Sequence, residues 1–229
     1  MTHDEILEKL NEKKIIAIVR GVSPDRILDV AKALEAGGVT AIEAAFDHKS
    51  EDGIQKTLEC IRILSSSNEY SGIVGAGTVL TKGEVKMAAD AGAKYMISPN
   101  MNPDVIRNTR AKGLVSMPGC LTPTEIEEAY MAGADIVKVY PAGLMGAAYL
   151  KALMAPLGYI KYSAVGNVGA ENLRSFLEIG ISSFGIGGSL IDKKAIAEGR
   201  YEVITERAKE LTSIMEEYFS QKNCRNGDK

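Results

Sequence analysis

Short apolar runs alternate along this chain with amphipathic stretches of helical length. The runs fall at residues 15–19, 41–46, 72–77, 95–97, 114–117, 136–140, 160–164 and 184–186. Each is short and nearly unbroken by polar residues, the pattern of a parallel strand covered on both faces. The joints between them repeat. Ala36-Gly37-Gly38, Ala91-Gly92-Ala93, Lys112-Gly113, Ala132-Gly133-Ala134 and Ile179-Gly180 each place a glycine where a helix closes before the next strand. Ser23-Pro24, Asn102-Pro103 and Thr122-Pro123 each place a capping side chain before a proline at the first helical position. Thr122 and Glu125 also have the spacing of a capping box.

Eight strand–helix repeats closing on themselves predict an α/β fold, the (β/α)8 TIM barrel. An open doubly wound sheet is the competing architecture, but no GxGxxG fingerprint follows the first strand. Residues 1–11 predict an extra helix ahead of that strand. No break in composition divides the chain, so residues 1–229 predict one domain, with a polar tail at 221–229 expected to fray. Residues 201–217 read as the solvated face of the last helix, and Met117, Met131, Met145 and Met154 as core filling.

Composition narrows the function more than the fold. Hydrophobic residues make up 45% and charged residues 25%, enough for a packed core and unlike a disordered chain. The net charge of −3 is spread along the chain and lacks the basic footprint of a nucleic-acid binder. Three cysteines without a close pair and only two histidines argue against a disulfide framework or a zinc site. The polar N-terminus is unlike a signal peptide and no apolar run is long enough to span a bilayer. A cytoplasmic protein without membrane partners is expected.

The candidate chemistry lies where charge interrupts apolar strands. Lys138 stands inside Ile136-Val137-Lys138-Val139-Tyr140, and a lysine there is paired, snorkelling or functional, because an isolated buried ammonium is costly. Desolvation would leave part of it neutral, as an amine nucleophile needs. Glu43 interrupts Ala41-Ile42-Glu43-Ala44-Ala45 and is either a general base beside Lys138 or its structural ion-pair partner. Arg20, at the end of the first strand, is a carboxylate or phosphate clamp or a solvated charge. Thr78 ends Gly75-Ala76-Gly77-Thr78, where small residues admit a ligand, although Thr81 is the better helix cap. Gly166 ends the seventh strand and Gly187-Gly188-Ser189 the eighth, the usual phosphate location of this barrel.

Taken in order, these residues resemble the 2-keto-3-deoxy-6-phosphogluconate and 4-hydroxy-2-oxoglutarate aldolase family, which includes 6-phosphogalactonate aldolases. The resemblance covers residues 13–208. It rests on Ala17-Ile18-Val19-Arg20-Gly21, Ile42-Glu43, Val74-Gly75-Ala76-Gly77-Thr78-Val79-Leu80, Ile97-Ser98-Pro99-Asn100, Pro118-Gly119-Cys120, Lys138-Val139-Tyr140-Pro141-Ala142 and Gly187-Gly188-Ser189. It implies a class I aldolase of sugar-acid degradation of the Entner–Doudoroff kind: a metal-free lyase, generally a homotrimer, that needs no cofactor. Lys138 would form an imine with the substrate ketone and Glu43 would move protons. Arg20 and Thr78 would contact substrate, while Gly166, Gly188 and Ser189 would hold a phosphate.

Three positions depart from the gluconate-type pattern. Asp47, followed by His48, stands where an arginine binds the carboxylate. Val165 stands where a threonine is found and is similar to the phosphogalactonate subgroup. Asn167 replaces a second glycine at the phosphate site. These departures keep two other readings open. One is a phosphosugar isomerase or epimerase using Glu43 as base; the other is a decayed site that binds a small acid without turnover.

Overall fold

The computed structural model describes residues 1–227 of the chain. Helix α1 (His3–Lys13) precedes β1 (Ile15–Arg20), followed by α2 (Ile27–Ala36), β2 (Ala41–Ala45), α3 (Gly53–Ser66), β3 (Ile73–Gly77), α4 (Lys82–Asp90), β4 (Tyr95–Ile97) and α5 (Pro103–Ala111). The second half runs β5 (Val115–Met117), β6 (Gly119–Cys120), α6 (Pro123–Met131), β7 (Val137–Val139), α7 (Ala142–Met154), β8 (Tyr162–Val165), α8 (Ala170–Glu178), β9 (Ser183–Ile186), α9 (Lys193–Ala197) and α10 (Glu202–Gly227).

All strand pairs are parallel, in the order β5-β4-β3-β2-β1-β9-β8-β7-β6. The two ends of that order are one chain segment interrupted at Pro118. A proline has no N–H for the ladder, so the fifth stave splits: β5 pairs with β4, and β6 pairs with β7. The result is the predicted barrel, with its fifth strand in two pieces. An open sheet is excluded because the last strand, β9, pairs with β1 while the two ends of the order, β5 and β6, adjoin across Pro118.

Two apolar layers follow from strand alternation. One face of the strands meets the helices. The other fills the barrel with Ile16, Ala41, Ile73, Tyr95, Val115 and Ile136, and α1 closes the floor by adding Ile6 and Leu10. Thr2 and Glu5 form a reciprocal capping box at the start of α1. His3 Nε2 lies 3.0 Å from Asp135 Oδ1, which fixes this helix beneath the strands. Helix α1 thereby plugs the bottom of the barrel with Ile6 and Leu10.

Several expectations need correction. Helix α2 begins at Ile27, not after Ser23-Pro24, because Arg26 N–H donates to Ser23 O and closes a separate turn first. Met117 fills the core, but Met131 and Met145 are exposed. Helix α10 is solvated on one face only; Ile204, Ala208, Leu211 and Met215 are buried. It extends through Gln221 to Gly227. There Arg174 Nη2 donates to Gln221 Oε1 (2.7 Å), and Tyr218 donates to Leu177 O (3.0 Å). The last two residues of the expected tail lie outside the described residues. No helix among those described is long and apolar enough to cross a membrane.

Candidate active site

At the C-terminal ends of the strands opens a cavity of about 660 Å³. Parallel register brings distant residues to one level inside it. Ile18 pairs with Glu43, and Glu43 with Gly75; Gly119 pairs with Lys138, and Lys138 with Ser163. Register partners on neighbouring strands point the same way, so Glu43 and Lys138 both face inward and both line the cavity.

Lys138 is 6% exposed. No ion pair within 4.0 Å joins it to Glu43 among the described residues. Burial pushes its pKa below the ordinary lysine value; Glu43 opposes the shift and Arg20 adds to it. Glu43 is 2% exposed, and its Oε2 is buried without a hydrogen-bond partner. Burial raises its carboxyl above the ordinary range, against the pull of Lys138 and Arg20. A desolvated amine and a desolvated carboxyl thus face one space without neutralising each other in a direct ion pair. The carboxyl's seat depends on Gly77, where a β-carbon would fall 1.7 Å from Glu43 Oε1. No side chain larger than hydrogen fits there with Glu43 in place.

The guanidinium of Arg20 ties three strand ends together. Nη2 donates to Thr78 Oγ1 (2.7 Å) and Nη1 to Phe46 O (3.1 Å). Five N–H groups in a fixed fork leave others free for a ligand. Thr78 holds the left-handed φ of 57°, uncommon for a β-branched residue, which turns the chain out of β3 at the cavity rim.

Val165, Gly166, Asn167, Gly188 and Ser189 also line the cavity. Leu190 and Ile191 N–H both donate to Gly187 O, curling 187–191 into one helical turn. Gly188 faces open space. Ser189 Oγ donates to Val168 O (2.8 Å), which ties the loop after β9 to the loop after β8. Asn167 takes φ 53°, a conformation asparagine tolerates better than most residues. This is the physical reason it can occupy a position where glycine is otherwise expected.

Asp47 and His48 do not line the cavity. Asp47 accepts from Lys49 N–H (2.9 Å) and Ser50 Oγ–H (2.7 Å), a turn that holds its carboxyl below the usual range through Ser50 first and Lys49 second. His48 Nε2 lies 3.0 Å from Glu84 Oε1, and Glu84 in turn caps α4. Neither side chain is free to take the role of a carboxylate-binding arginine in this geometry.

Sequence reasoning gave no role to several lining residues, among them Pro99, Tyr140 and Glu171. Tyr140 is legible in retrospect: it follows β7 directly, two positions beyond Lys138. Glu171 lies in the first turn of α8, and nothing in its local pattern separates it from other solvated helix-start acids. Among the described residues no cluster of three His, Cys, Asp or Glu side chains would hold a metal ion.

A parallel barrel with a buried lysine and a buried carboxyl both lining the cavity at its C-terminal mouth fits the aldolase class of barrel enzyme. The family model described as KDPG and KHG aldolase matches residues 6–207, and the chain belongs to that family. It is 40% identical over 180 residues to the probable 2-dehydro-3-deoxy-6-phosphogalactonate aldolase of Rhizobium meliloti, covering 78% of this chain and 82% of that one. It is 30% identical to the 2-dehydro-3-deoxy-phosphogluconate aldolase of Haemophilus influenzae, covering 93% and 98% respectively. A solved structure described as native KDPGal superposes with a TM-score of 0.80 at 30% identity, covering 90% of this chain and 96% of that one.

Proposed function

We propose that this chain cleaves a 2-keto-3-deoxy-6-phospho sugar acid of the galactonate or gluconate type, releasing pyruvate and a phosphorylated aldehyde through an imine on Lys138. The observation that carries the reading is the buried, unpaired Lys138 opposite a carboxyl of raised pKa. The neutral amine adds to the C2 ketone. Glu43, in its acid form, gives a proton to the departing hydroxyl, and water leaves. The iminium nitrogen then draws in the electron pair of the C3–C4 bond as the C4 hydroxyl loses its proton. The aldehyde departs, C3 of the enamine takes a proton, and water returns to release pyruvate and the amine. The partly unused donors of Arg20 suit the substrate carboxylate, with Thr78 beside it. Gly166, Gly188 and Ser189 suit the phosphate. The family's smaller substrate, 4-hydroxy-2-oxoglutarate, uses the same bond-breaking step.

Borohydride added with pyruvate is expected to leave a reduced pyruvyl adduct on Lys138 alone, read by peptide mass spectrometry. Turnover without any trapped adduct would point to the isomerase reading. Pyruvate binding without an aldehyde product would point to a decayed site. Asp47 gives that last reading no support, since its carboxylate is engaged outside the cavity.

The homotrimer implied by the family is supported by exposed apolar side chains, among them Met131 (75%), Leu144 (70%) and Tyr159. Analytical ultracentrifugation is expected to give about three times the 24.5 kDa of one chain, and Leu144→Asp to lower that mass by burying a charge in the contact. A wild-type monomer would overturn the assignment.

A further inference from the structure

One aromatic ring stands in the wall of the cavity. Tyr140 is 46% exposed, and Lys138 Nζ lies 5.1 Å from its centroid, within reach of a cation–π contact. The ring rests on Gly166, where a β-carbon would come within 2.9 Å of Cδ2 and Cε2. Gly166 also holds φ +89°, so the position favours glycine twice over: once for its backbone and once for the ring. The other charged groups facing this nitrogen are Glu43 from β2 and Arg20 from the end of β1, one attracting and one repelling. Glu171 from α8 lines the cavity as well. None of them is within ion-pair distance of Nζ among the described residues.

We propose that the face of Tyr140 stabilises the cationic nitrogen of Lys138, first as the ammonium and then as the protonated imine. This rests on the aldolase reading for its second half only. A π face favours positive charge at nitrogen but accepts no proton from it. A carboxylate in direct contact would hold the amine protonated and block its attack on a ketone. The ring instead supports the charge that condensation creates: the amine adds to the carbonyl carbon, the hydroxyl leaves as water with a proton from a nearby acid, and the nitrogen keeps one hydrogen and the positive charge.

The test compares the wild type with Tyr140→Phe and Tyr140→Leu. Leucine keeps an apolar group over the nitrogen and removes the π face; phenylalanine keeps both. Cyanate reacts only with the neutral amine, so the carbamylation rate of Lys138 against pH reports the ammonium directly by peptide mass spectrometry. In Tyr140→Leu the midpoint is expected to move to lower pH, and the rate on its acid side to rise about 2- to 30-fold, the span of cation–π contacts from exposed to desolvated sites. Tyr140→Phe should keep the wild-type midpoint, a rescue that a purely structural role for the phenol would not give. In a second arm, the adduct trapped by borohydride at subsaturating pyruvate should fall in Tyr140→Leu and not in Tyr140→Phe. Tyr140→Met replaces leucine if that variant fails to fold. An unmoved midpoint in the leucine variant, or equal shifts for phenylalanine and leucine, overturns the proposal. A shifted midpoint with no adduct in the wild type overturns the aldolase reading and leaves the ammonium contact standing.

Discussion

Lys138→Ala is expected to abolish pyruvate release while leaving the barrel folded. Loss of a covalent nucleophile removes the route itself, so kcat should fall on the order of 10⁴- to 10⁶-fold. Lys138→Arg should do no better, because a guanidinium stays protonated and cannot attack a ketone. Stability should move the other way. The folded-state pKa of Lys138 is depressed by burial, so the unfolded chain binds its proton more tightly. By linkage, the wild type loses stability as pH falls below the ordinary value of 10.5, until the folded pKa is passed. Lys138→Met, which keeps the apolar stem, should therefore melt higher than the wild type at neutral pH, with a gain that shrinks toward alkaline pH. Assays of pyruvate release and thermal melts from pH 6 to 10 check both halves. Residual turnover within tenfold of wild type would mean that another group is the nucleophile.

The strands that build this site were legible because their apolar runs are nearly unbroken, and the interruptions were informative for the same reason. Glu43 and Lys138 are conspicuous among Ala41, Ile42 and Ala44, and among Val137 and Val139, because burying a charge is costly. The break at Pro118 was readable in principle, since proline cannot join a ladder, but Leu114 to Met117 already filled one strand's pattern. What stayed hidden depends on side-chain direction within loops. Nothing in Asp47-His48 reveals that Asp47 closes on Ser50 and that His48 turns to Glu84, some 36 residues away. Nor does a glycine declare what it makes room for. Gly77 holds space for Glu43, and Gly166 for Tyr140, and both relations are long-range.

Glu43→Gln separates proton transfer from imine chemistry. The glutamine keeps the shape that Gly77 accommodates but has no acidic proton to give and no basic oxygen to take one. Loss of a positioned acid–base group costs about 10²- to 10⁴-fold, and the loss should fall on kcat, with slow borohydride trapping still at Lys138. Because burial raises the folded pKa of Glu43, its protonated form is the one the barrel favours. The stability this contributes is fully present below the unfolded carboxyl pKa and is lost as pH rises through the folded one. Glu43→Gln should thus match the wild type in acid and melt higher once Glu43 is ionised. The pKa of Lys138 should fall further in this variant, since Glu43 is the charge that raises it. That gives a result no loss of packing would imitate: the amine becomes more reactive toward cyanate at neutral pH while the aldol step slows. If both rates fell together, Glu43 would be holding Lys138 in place instead of moving protons for it.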